Sequence, residues 1–231
     1  MTLLTTGNPK LLKGEKKGYL SFILHLAPAT LSGYQTCPKA TEGCKTACLN
    51  TAGRGGMFRK GETTNAIQQA RIRKTKMFFE DRPTFLTQLV KEIHAGIRTA
   101  VRKGLIPCFR LNGTSDIRWE SQGIIEQFPQ VQFYDYTKLA NRDVAHLPNY
   151  HLTFSRAESN DLDARDALHR GMNVAAVFAT VPATYAGRTV IDGDESDLRF
   201  LDPQGVVVGL KAKGRGKKDA TGFVIQTVDA K

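Results

Sequence analysis

The stretch YLSFILHLA at 19–27 most constrains what this chain can fold into. As an extended segment it is apolar on both faces, so both must be covered, as in a parallel strand beneath helices. Pro28 ends the run. Further strands are expected at 106–111, 131–136, 150–155, 173–180, 188–191 and 206–210, with 223–227 as a last, edge-like one. Helical patterns fall between them, at 62–80, from Pro83 to Gly104, at 119–128, over about 141–146 and from Asn160 onward. In the Pro83 helix, Leu86, Leu89, Val90, Ile93, Ile97 and Val101 recur every three or four residues, which marks one buried face. Strands alternating with helices describe repeated βα units. The expected fold is therefore α/β: a full or partial parallel (β/α) barrel in one domain over 19–231, preceded by a basic arm at 1–18.

No apolar run reaches the ~18 residues of a membrane span. Lys10, Lys13, Lys16 and Lys17 precede an apolar run as in a secretory signal, but no small-residue cleavage site closes it, so a cytoplasmic protein is expected. The formal net charge is +11, from 33 Lys and Arg against 22 Asp and Glu. That surplus favours anionic partners, either a small anionic ligand or nucleic acid.

Residues 28–58 form a long connection holding Cys37, Cys44 and Cys48, three of the four cysteines. A loop of this length in a compact domain is usually functional. A chain long enough for a full core does not need disulfides, and close cysteines then point to metal or redox chemistry. Thiolates from one glycine-containing loop suit an iron–sulfur cluster, and three protein ligands would leave one iron open. A structural zinc site wants four ligands, so it would need Cys108 or a histidine such as His25 to close it. Cys108 also reads as a small core residue.

In parallel α/β sheets ligands lie at the carboxyl ends of the strands. Those ends are polar in series here. Asn112, Ser115 and Asp116 follow the second expected strand, Asp135 and Lys138 the third, Arg156 the fourth and Lys211 the seventh. All seven are candidate cofactor- or substrate-binding residues. Within the second strand, Cys108, Arg110 and Asn112 share one face. The segment GLKAKGRGKKD at 209–219 sets five cations among three glycines, as either a solvated turn or an anion-binding loop.

The three-cysteine loop after a first strand, with Asn112 to Asp116 after the second, resembles the radical S-adenosylmethionine superfamily. That resemblance implies a partial barrel, a [4Fe–4S] cluster on Cys37, Cys44 and Cys48, and S-adenosylmethionine on the open iron. The cysteines are separated by six and then three residues, where that superfamily usually has three and then two. The stretches 18–56 and 207–214 also resemble a bacteriophage family, the gene-product-88 group, which implies a protein of the host bacterial cytoplasm. The expected function is an iron–sulfur protein, an enzyme at the barrel mouth. A metal-stabilised basic nucleic-acid-binding module and a zinc structural site are the alternatives.

Overall fold

The computed structural model describes residues 1–6 and 9–226. Its strands are β1 (Leu4–Thr5), β2 (Tyr19–Leu24), β3 (Ile106–Arg110), β4 (Gln132–Thr137) and β5 (Tyr150–Ser155), then β6 (Val174–Phe178), β7 (Thr184–Tyr185), β8 (Arg188–Asp192), β9 (Val207–Lys211) and β10 (Val224–Ile225). The helices are α1 (Pro9–Glu15), α2 (Glu42–Thr46), α3 (Ala66–Glu80), α4 (Arg82–Arg102) and α5 (Asp161–His169). All ten strands belong to one sheet, ordered β1-β2-β3-β4-β5-β6-β9-β8-β7, with β10 also on β6. The β1–β2 and β7–β8 pairs are antiparallel and the others parallel. The fold is thus mixed α/β, and its pairing among the described residues is an open path from β1 to β7.

Register explains which face is covered. Phe22 pairs with Phe109, and Phe109 with Phe133, so one face carries an aromatic row across three strands. Phe22 and Phe109 stack with centroids 5.1 Å apart. Helix α4 lays Phe85, Leu89 and Ile93 into the same cluster, all fully buried. Each such side chain contributes roughly 1.5–3 kcal/mol on leaving water. The helix can come this close because of Gly96: a Cβ there would stand 3.0 Å from the Phe109 ring.

The opposite face begins with Ser21, Cys108 and Tyr134 and is covered from within the chain. Leu198 and Phe200, in the connection between β8 and β9, pack against Cys108, Tyr134 and Tyr19. Asp197 of the same connection receives Arg110 Nη1 at 3.1 Å and the Tyr134 hydroxyl at 3.5 Å.

Several elements differ from expectation. Residues 119–128 hold only a 3-10 turn at Trp119–Gln122, and 141–146 has no helix. Within the expected arm, β1 pairs with β2, Leu3 is fully buried, and Glu92 accepts the N–H groups of Leu3 and Leu4. The Lys74 ammonium donates to Leu3 O at 2.6 Å, so these polar partners hold a segment whose sequence lacks strand period. The 223–227 strand is the two-residue β10, which pairs with β6 alone, as an edge strand does, and residue 227 lies outside the described residues.

Candidate functional site

A cavity of about 510 Å³ opens at the carboxyl ends of β2, β3, β4, β6 and β9. From β2 it takes Ile23 and His25, from β3 Arg110 and the following loop, and from β4 Tyr136, Thr137 and Lys138. The cysteine connection and Arg71 of α3 form another wall, and Lys211 and Lys213 after β9 a further one.

The loop after β3 is organised by Asn112. Its Oδ1 accepts from Ser115 Oγ (2.8 Å), Ile117 N–H (2.9 Å) and Trp119 Nε1 (3.2 Å), while its Nδ2 donates to Ile117 O (2.9 Å). Gly113 then passes close to β2, where a Cβ would stand 2.6 Å from Ile23 Cγ2. Asp116 accepts from the Lys138 N–H at 2.8 Å and pairs with Arg142 at 3.2 Å, tying this loop to the end of β4. Burial raises the Asp116 carboxyl above its usual range, against the pull of that N–H and of Arg142.

The cysteine connection is fixed from β5. The Glu158 carboxylate accepts Thr41 Oγ1 at 2.6 Å and the Gly43 N–H at 2.8 Å, and Thr41 in turn caps α2. A Cβ on Gly43 would fall 2.5 Å from Phe223 Cβ, so α2 lies directly on the segment leading to β10. That segment is clamped by Arg156, whose guanidinium pairs with Asp161 and donates to the Gly222 and Phe223 carbonyls. β10 takes the edge of β6 at Val177 and Phe178, just past Val174 and Ala175, where β5 pairs.

Of the residues expected at the site, Cys37, Cys44, Cys48, Asn112, Ser115, Asp116, Lys138 and Lys211 line this cavity together. Asp135 and Arg156 do not. Asp135 is fully buried on the helix-facing side, accepting the Asn112 N–H (2.6 Å) and the Tyr150 hydroxyl (2.8 Å). Burial raises its carboxyl to about 7. Arg156 is occupied by its clamp. His25, expected only as a histidine that could close a zinc site, sits at the cavity with Arg110 and Tyr136, and alternation along β3 and β4 puts the last two there. Arg71 of α3 also lines the cavity, and no local signal in the sequence marks that the cysteine connection would cover it.

The metal centre requires correction. Among the described residues, no three His, Cys, Asp or Glu side chains converge so as to hold a metal ion. The wide spacing puts each cysteine in a different local structure. Cys37 lies in the extended lead-in, its Sγ 3.7 Å from both Thr36 Oγ1 and Thr114 O. Cys44 sits within α2 and packs against the apolar cluster of Ala157, Ala212, Phe223 and Val224. Cys48 caps the 3-10 turn Leu49–Thr51, its Sγ accepting the Asn50 N–H. Cys108 is buried against Ser21 Oγ at 3.1 Å, and it is not among the residues lining the cavity. Burial raises the Cys37 thiol and pushes Cys48 to about 11. The metal centre expected on Cys37, Cys44 and Cys48 is therefore not formed among the described residues.

The electrostatics of the cavity are cationic. Lys39, Arg71, Arg110, Lys138, Lys211 and Lys213 line it against Asp116, Asp194 and Asp197. Lys213 pairs with Asp194, and Arg110 with Asp197. Arg71 meets a neutral partner, Asn50 Oδ1, and Lys138 Nζ stands 6.0 Å over the Phe223 ring. His25 responds to this field: burial first, then Arg71, Arg110 and Lys74, lower it to about 3.

The gene product 88 family matches residues 2–227. The chain belongs to that family. No curated protein and no solved structure matches it. Among the described residues of this gene product 88 protein, no helix is long and apolar enough to cross a membrane.

Proposed function

We propose that the strand-end cavity binds a small organic anion with an apolar body. The observation that supports this is the surplus of Lys and Arg around a cavity of about 510 Å³, in which Arg71 meets no carboxylate partner among the described residues. Ile23, Val177, Leu210 and Phe223 supply an apolar lining beside those cations. A few polar groups converging in a largely apolar cleft is the usual form of a small-molecule site. Arg71 offers a planar fork suited to carboxylate or phosphate, and Lys138 a point charge. The thiols of Cys37 and Cys48, raised by burial, would meet the ligand in their neutral form at pH 7. On this proposal the sheet would act as a partial barrel with its polar face inward, in the cytoplasm of a bacterial host.

Thermal unfolding with a panel of nucleotides, sugar phosphates, carboxylates and S-adenosylmethionine tests this. At least one anion should raise Tm in proportion to the logarithm of its concentration. The shift should be lost in Arg71→Gln and halved or more in Lys138→Gln. No shift from any anion, or one untouched by both substitutions, rejects the proposal. So would stoichiometric iron and sulfide in anaerobically purified protein.

A further inference from the structure

Two segments far apart in sequence make nearly the same turn. Gly53–Gly56 reads GRGG and Gly214–Lys218 reads GRGKK, both are 3-10 turns, and each opens on a left-handed glycine, at φ +54° and +53°. The second turn rests against residues just before the first, and Gly53 and Gly216 both line the cavity. A Cβ on Gly214 would sit 3.5 Å from Ala52 Cβ, and one on Gly216 3.2 Å from Ala47 Cβ. Arg54, Arg215, Lys217 and Lys218 flank these contacts and are all exposed, a cationic rim contributed by both turns. The chain leaving the first turn adds Met57, 70 % exposed, and Phe58, 37 % exposed, followed by exposed Arg59 and Lys60.

A small anion in the cavity has too few charges to answer this rim, whose cations stand outside the cavity and are spread over two chain segments. Their counterpart is a chain of evenly spaced negative charges. Exposed apolar side chains among cations further distinguish the form of that polyanion: they meet unstacked bases, which a duplex hides. We propose that the two Gly-Arg-Gly turns form a binding rim for single-stranded nucleic acid. The rim uses residues other than Arg71 and Lys138, so it stands or falls separately from the ligand in the cavity.

The test is fluorescence anisotropy with labelled single-stranded DNA and RNA of about 20 nucleotides, and the matching duplexes, across a salt series. The combined variant Arg54→Gln, Arg215→Gln, Lys217→Gln, Lys218→Gln should lose about tenfold or more in affinity for the single strand. Its slope of log affinity against log salt should flatten by about 0.7 for each phosphate no longer neutralised. A matched variant with Lys76, Lys91, Arg98 and Arg102 all changed to Gln, exposed on α3 and α4, should stay within about threefold of the parent. Phe58→Ala should weaken binding and leave the salt slope unchanged. Equal losses in the two charge variants, duplex bound as tightly as single strand, or a preference for phosphatidylglycerol vesicles overturns the proposal.

Discussion

Asn112 shows how much one side chain can carry. Its amide satisfies a hydroxyl, a backbone N–H, an indole N–H and a carbonyl within a seven-residue span. Truncation would strand the Ile117 and Trp119 donors in a buried setting, where each unmet group costs about 1–3 kcal/mol. Asn112→Ala should therefore lower the unfolding free energy by about 2–4 kcal/mol, measured by urea denaturation. A loss below about 1 kcal/mol would show that water replaces the amide. Alternation along the strands could have separated Asp135 from the site. Tyr134 and Tyr136 face the polar interior, so the residue between them faces the helices, where Asp135 pairs in register with Leu152. Polarity at a strand end was legible in sequence; which face the polar group takes needed the period-2 rule applied to β4 as it was to β3.

At the level of elements, the joint between β5, β6 and β10 carries the cavity wall. Arg156 is 9 % exposed, and its guanidinium holds Asp161 with the Gly222 and Phe223 carbonyls. Arg156→Met keeps the stem and removes the clamp. Amide hydrogen exchange should then speed up about tenfold or more at Val224 and at Ala179, which donates to Ile225 O, while the β2–β3 ladder keeps its protection. Uniform acceleration across the sheet would instead mean that Arg156 supports the whole fold. Strands β2 to β6, β8 and β9 were legible, because each carries apolar, aromatic or β-branched residues between turn residues. β1 and β7 were not: each has only two residues, and β1 depends on Glu92 and Lys74 from distant helices. The three cysteines were legible as a group, but their wide spacing left room for a helix and a turn between them.

Across the whole molecule, stability should respond to pH through two buried groups of opposite sign. Burial lowers His25 to about 3, so from pH 3 to 6.5 the unfolded chain binds the extra proton and stability rises with pH. Burial raises Asp135 to about 7, so from about pH 4 to 7 the native state holds the extra proton and stability falls with pH. The two partly cancel in the parent protein. Asp135→Asn should steepen the rise between about pH 4.5 and 6.5 by up to about 1.4 kcal/mol per pH unit, and His25→Gln should flatten or reverse it. Unfolding curves at the two pH values check both, and identical slopes in all three proteins would contradict these assignments.

The seating of β10 has a consequence for how the protein is made. Its partner strand β6 ends at Phe178, whereas β10 begins at Val224. At bacterial translation rates of roughly 5–20 residues per second, that interval takes a few seconds. Throughout it the upper edge of β6 is bare and α2 lacks the surface on which Gly43 rests. The cavity wall is therefore complete only once Val224 and Ile225 have been made, and a nascent chain stalled before Val224 would carry the rest of the sheet without the finished cavity.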